Sequence, residues 1–188
     1  MRVPSYFTLY MTKREVIRTI RQAFSGVLMP PVSNVVLHFG EEILSEEWAN
    51  WPDGPNVGRI LANKRWQDVD YERLARAAAP LSLMTPEAIQ YYLPALLINT
   101  LKYPDIMDID SLKHELSPPP FGYASSLQEF EIRYSLLTPA QRGAVGCFFE
   151  YARRTPGLNL WVYDEPLGQI STYWLQDYMQ SKIGSSAG

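Results

Sequence analysis

The sequence holds one cysteine, Cys147, and two histidines, His38 and His114. A lone cysteine excludes an internal disulfide and any cysteine-based zinc cluster, and nothing else marks the chain for an oxidising compartment. The cytoplasm is therefore the expected location. Gly-x-x-x-x-Gly-Lys-Ser/Thr, Gly-x-Gly-x-x-Gly and Gly-x-Ser-x-Gly are all absent, so neither a phosphate cradle nor a nucleophile elbow has sequence support. Positive charge is in deficit, with 17 Lys and Arg against 20 Asp and Glu and a net charge of −3. No global field draws such a chain to phosphate backbones, and nucleic acid is not an expected partner. Long apolar runs are missing too. The stretch Tyr91 to Ile98, interrupted by Pro94, falls far short of the roughly 20 residues a membrane span requires. Met1 to Met11 is broken by Pro4, Ser5 and Thr8 and has no small-residue cleavage site, so it does not read as a signal peptide. A soluble protein with no membrane segment is expected.

What is present suits a single folded domain. The chain has 188 residues, 46% of them hydrophobic and 20% charged, near the averages of globular proteins and enough for one core. Thr12 precedes Lys13 to Phe24, where Val16, Ile17, Ile20, Ala23 and Phe24 form one stripe opposite Arg14, Arg18 and Arg21. That pattern predicts an amphipathic helix ending near Gly26. A short helix is expected between Gly40 and Trp51, stopped by the turn chemistry of Pro52 to Asn56. Asp68 or Asp70 is placed to cap another through Glu72, Leu74, Ala75 and Ala79, which Pro80 would end.

The clearest helix start is Thr85-Pro86-Glu87, where a threonine hydroxyl can cap, proline suits the first helical position and glutamate faces the positive dipole end. This helix is expected to reach Leu101 with a kink or break at Pro94. Further helices are expected after Asp110 or Ser111, stopped by Ser117 to Pro120; from Ser125 or Ser126 to about Leu136; and from Thr138, which with Gln141 has capping-box spacing. The last of these carries Val145, Phe148, Phe149 and Ala152 inward and ends at Thr155-Pro156-Gly157. A final helix after Asp164-Glu165-Pro166 bears Ile170, Tyr173, Trp174 and Tyr178. Val35 to Leu37 is too short to decide between a strand and a buried loop. Ser82 to Pro86 and Ser135 to Pro139 read almost alike. Shared helix-start chemistry accounts for this more simply than a duplication, since nothing downstream matches in register.

The pieces Leu83 to Ala88, Tyr91 to Ala95 and Ser135 to Gln141, with the Ile-x-x-Ala-Phe end of the first helix at Ile20 to Phe24 and with Trp66, carry a resemblance. From about Glu15 to Ala152 the chain resembles a family of small bacterial proteins of unknown function, domain-of-unknown-function family 6714. The resemblance implies a mostly helical single domain and offers no catalytic residue to carry over. It leaves the segment from Leu158 to Gly188 unsupported.

The residues alone give the same architecture: an all-α or nearly all-α single domain of six to eight short helices with proline-interrupted connections. Its expected parts are an N-terminal extension at 1–11, the helical domain at 12–157, a C-terminal aromatic extension with a helix at 158–183, and a frayed tail at 184–188.

Little in the sequence announces chemistry. His38 and His114 are far apart, and Cys147 sits among apolar neighbours, as a buried structural thiol does. Asp105, Asp108, Asp110, His114 and Glu115 have some metal flavour, but the glycine and spaced terminal glutamate of a calcium loop are missing. A solvated acidic connection is expected there, with no metal and no cofactor.

Charge, by contrast, is segregated. Between residues 25 and 58 stand Glu41, Glu42, Glu46, Glu47 and Asp53 and no Lys or Arg, with Trp48 and Trp51 set among them. Carboxylates around aromatic anchors make a surface for a basic protein, because aromatics contribute most of the contact energy and rim charge steers approach. The competing account is that both tryptophans are core residues and the glutamates solvate a short helix. The leading expectation is a non-catalytic module that uses Glu41, Glu42, Glu46, Glu47, Trp48, Trp51 and Asp53 to sequester a basic protein. An immunity protein that occludes a cognate toxin would be one such module. The alternatives are a small-ligand binder or enzyme with a carboxylate and tyrosine pocket, and a structural homo-oligomer, possible as a homodimer through the aromatics Trp161, Tyr163, Tyr173, Trp174 and Tyr178.

Overall fold

In the computed structural model of the chain, Thr12, Thr85, Ser126 and Thr138 each accept a hydrogen bond from the backbone N–H three residues on, and a helix begins after each. The structure describes residues 10–35, 57, 61, 63–70, 72, 81–105, 107, 109–122, 124–156, 158, 168–176 and 178. Among them the helices are α1 (Lys13–Ala23), α2 (Pro86–Lys102), α3 (Ile109–Glu115), α4 (Leu127–Arg133), α5 (Pro139–Arg154) and α6 (168–176). Single 3₁₀ turns occur at Val32–Asn34, Trp66–Asp68 and Leu81–Leu83, and there is no strand among the described residues. The fold is all-α and a single domain. The expected helices over Gly40 to Trp51 and from Glu72 to Ala79 lie outside the described residues, except that residue 72 is helical.

At the centre is α2. Leu93, Leu96, Leu97 and Leu101 are buried along with nearly every other residue from Ala88 on, so this helix is covered on all sides. That burial accounts for a helix that is continuous through Pro94, where a kink or break is expected from the sequence and the structure shows no break. An interior proline costs about 3 kcal/mol. Full burial of a leucine contributes about 1.5–3 kcal/mol, so four of them outweigh it. Two boundaries also differ. Helix α3 starts at Ile109, before Asp110, and α4 ends at Arg133 instead of Leu136, because Tyr134 caps it and turns its ring inward.

Helix α1 lays Val16, Ile20 and Phe24 against α2 and α5 and leaves Arg14, Arg18 and Arg21 exposed. Helix α5 buries Val145, Phe148, Phe149 and Ala152, as its sequence predicts. The last helix, α6, adds Ile170 and Trp174 to the same core. Trp174 is fully buried, donates its indole N–H to the Leu116 carbonyl at 2.8 Å, and stacks edge-on against Tyr134. The seat for α6 is cut by two glycines of α5. A methyl group on Gly143 would lie 2.6 Å from the Tyr178 ring, and one on Gly146 would lie 2.6 Å from the Leu175 side chain.

The Val35 stretch meets the core at the start of α2. Thr85 donates its backbone N–H to the Val35 carbonyl at 3.3 Å and its hydroxyl to the Asn34 carbonyl at 2.6 Å, while the same hydroxyl caps α2. Residues 36–39, on which the choice between strand and loop turns, lie outside the described residues. No helix among the described residues is long and apolar enough to cross a membrane.

Candidate functional site

Three carboxylates, Glu115, Glu131 and Glu150, act as ties between helices. Glu115 of α3 meets Arg133 of α4 at 3.2 Å, and Arg133 also reaches Glu129 at 3.0 Å. Glu131 of α4 binds Arg142 of α5 at 2.8 Å and accepts the Tyr173 hydroxyl of α6. Glu150 of α5 is held by Arg153 and Arg154 and accepts the Ser171 hydroxyl of α6. Burial pushes Glu131 towards protonation, but hydrogen bonds from Tyr173 and Arg142 outweigh it and hold the carboxyl below its ordinary value. Tyr173 is pushed up to about 12, by burial first and then by Glu131, so it stays a donor. Cys147 is buried and its thiol is pushed up to about 11 by desolvation, with the Glu150 charge adding to it. A thiol held protonated is a poor nucleophile.

His114 and Glu115, the candidates with metal flavour, have other roles. The His114 Nδ1 lies 3.1 Å from the Phe121 carbonyl, tying the turn that follows α3, and Glu115 is engaged by Arg133. Among the described residues no group of three His, Cys, Asp or Glu side chains converges as a metal site would. Asp105 is exposed, while the Asp108 and Asp110 side chains lie outside the described residues. So do Glu41, Glu42, Glu46, Glu47, Trp48, Trp51 and Asp53, the whole predicted partner surface, and with them His38, Trp161 and Tyr163.

Among the described residues, two concave regions stand out. The first is a groove of about 620 Å³ between the loop from Ala23 to Pro31 and the starts of α2 and α5, whose walls include Leu28, Met29, Gln90 and Gln141. Leu28 is 88% exposed, Met29 44% and Val32 52%. Pro30 and Pro31 fix this loop, and Thr85 pins its far end at Asn34. Among the described residues, Glu87 is the charged residue lining the groove. Sequence reasoning did not single out these apolar residues. The available signal was Val27-Leu28-Met29 running into Pro-Pro, a stretch with neither a helical nor a strand face on which to bury itself.

The second region is a cleft of about 510 Å³ where α1 and α2 both end. Arg21 and Lys102, in the last turns of those helices, line it together with the Trp66–Asp68 turn and Asp70, and Asp68 is paired with Arg65 at 3.9 Å. Ala95, Ile98 and Asn99 line it from α2. The Asn99 amide nitrogen is spent on the Val69 and Ala95 carbonyls at 3.1 and 2.9 Å, which leaves its oxygen as the atom it can offer.

A bundle of short helices packed around one buried helix is the class of protein this geometry defines. The sequence pattern of the family of unknown function DUF6714 matches residues 12–178, and the chain belongs to that family. The match passes beyond Ala152 and takes in α6, which the resemblance read from the sequence had left unsupported. Comparison with curated proteins and with solved structures gives no match.

Proposed function

We propose that the protein is a non-catalytic binding module of the bacterial cytoplasm that docks a basic protein partner through the Leu28 and Met29 groove and the acidic stretch that follows it. An immunity protein occluding its cognate toxin is the concrete form of this reading. The observation that carries it is the joint exposure of Leu28, Met29 and Val32 on a loop fixed by two prolines. Contiguous exposed apolar side chains on a stiff loop are the signature of a docking surface, because ordering them on contact costs little entropy. Charge supports the same partner. Glu87 is the charged residue of the groove, and from Glu41 to Asp53 the chain carries carboxylates and no Lys or Arg. Acidic rims speed encounter with basic surfaces. Glu115, Glu131 and Glu150 are already engaged by arginines, the first two between helices and Glu150 within α5.

The test is affinity capture from the native cell lysate by the tagged protein, beside Leu28→Ser with Met29→Ser and beside Glu42→Lys, Glu46→Lys and Glu47→Lys, each shown to be folded by circular dichroism. A stoichiometric partner with a basic isoelectric point, captured by wild type and lost by both variants, is expected. Capture that survives the Leu28 and Met29 changes would remove the groove from the interface, and a stoichiometric partner that is acidic would overturn the charge argument.

A further inference from the structure

We infer that the Leu28 and Met29 groove receives an extended peptide segment of its partner, bearing a large apolar side chain close to a lysine or arginine, and that Gln90 and Gln141 read the backbone of that segment. The inference rests on the protein-binding reading and names what enters the groove. Gln141 is 3% exposed and lines the groove. Its side-chain oxygen is committed twice, accepting the Thr138 backbone N–H at 2.9 Å and the Gln90 amide at 3.0 Å. The Thr138 bond fixes which end of the Gln141 amide is oxygen, since a backbone N–H can only donate. The Gln141 amide nitrogen has no partner among the described residues, and it is not sealed from solvent. A nearly buried amide that keeps its donors unspent beside a groove is placed to give them to whatever fills that groove.

Gln90 lines the same groove and is the complement of Gln141. Its amide nitrogen is spent on the Leu136 carbonyl at 2.5 Å and on the Gln141 oxygen, which leaves its own oxygen as the atom it can offer. A donor and an acceptor are thus held on two side chains already bonded to each other. A peptide unit carries the same pair in reverse, a C=O that accepts and an N–H that donates. A segment inside a helix has spent both, so the segment that uses them here is extended. Leu28 and Met29 supply the apolar contact for its side chain. Glu87, exposed and without an ion pair among the described residues, meets the positive charge. Its place in the first turn of α2 adds no competing cation.

Selection from a random peptide library displayed on phage, run against the purified protein and against Leu28→Ser with Met29→Ser, supplies the probe. Enrichment on wild type alone is expected for peptides with Leu, Ile, Met or Phe close in sequence to Lys or Arg. Gln141→Glu then tests the reading of the backbone. Glutamate here keeps the capping-box oxygen and removes the donors, and its added negative charge would by itself favour a basic peptide. Fluorescence anisotropy with the strongest selected peptide should show this variant binding about three- to tenfold more weakly, with unchanged circular dichroism. Replacing the peptide's backbone N–H groups by N-methyl, one at a time, should weaken binding by a similar factor where Gln90 accepts. Equal or tighter binding by Gln141→Glu would overturn the inference, as would indifference to every N-methyl group. So would the absence of any peptide that prefers wild type to the double variant. In that last case, lysate capture still lost with Leu28→Ser and Met29→Ser leaves the protein-binding reading standing and makes the partner's contact a folded surface. Capture that survives those changes removes both.

Discussion

Thr85 and Thr138 occupy the same position in near-identical sequences, yet they hold different amounts of structure. Each caps its helix, and Thr138 also donates its backbone N–H to the Gln141 side-chain oxygen, the reciprocal bond of a capping box. Thr85 alone uses its hydroxyl proton to hold a distant segment, through the Asn34 carbonyl, and it is buried where Thr138 is exposed. Removing a cap costs about 1 kcal/mol. Stranding a poorly solvated carbonyl adds about 1–3 kcal/mol. Thr85→Ala is therefore expected to destabilise the protein by about 1–3 kcal/mol more than Thr138→Ala, read from urea unfolding midpoints at equal slopes. The shared Ser-Leu-x-Thr-Pro start was legible in the sequence because capping is local chemistry. The second bond of Thr85 was not, since it depends on where residue 34 comes to rest. The same limit applies to the cleft at the ends of α1 and α2: Arg21, Trp66 and Lys102 line one space only once those helices have been packed with their ends together.

Between elements, contact is governed by how near two backbones can come. Helix α6 lies over Gly143 and Gly146, and the space it occupies is the space a side chain there would need. Alanine raises intrinsic helix stability over glycine by about 1 kcal/mol. Overpacking costs about 1–3 kcal/mol and here meets the Leu175 backbone nitrogen as well, at 3.2 Å. Gly146→Ala should lower the melting temperature by several degrees, at about 2–4 °C per kcal/mol for a chain of this size. Gly168→Ala, where nothing lies within 4 Å, should leave it unchanged or raise it slightly. A thermal scan by circular dichroism separates the two. Helix periods told the sequence reader which face of α5 turns inward, and Val145, Phe148 and Phe149 are where that period puts them. They did not reveal that Pro94 would be tolerated. An interior proline removes one backbone hydrogen bond wherever the helix lies, and in α2 the burial around it outweighs that loss.

Over the whole molecule, several buried groups keep their protons longer than they would in an unfolded chain. Burial pushes Tyr92 and Tyr173 up to about 12 and Cys147 up to about 11, and Tyr134 rises further still. A group whose folded value is raised stabilises the fold fully below its unfolded value and loses that contribution as pH climbs to the folded one. The urea midpoint should thus be level between neutrality and about pH 9, then fall steadily towards pH 12. Cys147→Ala should flatten the first part of that decline, between about pH 9 and 11. A midpoint that holds steady to pH 11 in the wild type would contradict the burial of these side chains.

Trp174 gives the molecule a direction in time. Its indole N–H belongs to Leu116, and its ring completes the cluster of Phe130, Tyr134 and Tyr173. A chain cut after Thr155 should therefore bind a hydrophobic dye and melt without a cooperative transition, even though α1, α2 and α5 are all present in it. On the ribosome the same dependence means that helices made early wait for one made late. Until residue 174 has cleared the exit tunnel, the nascent protein presents an unfinished interior to chaperones, and the loop from Ala23 to Pro31 has no fixed frame to rest on.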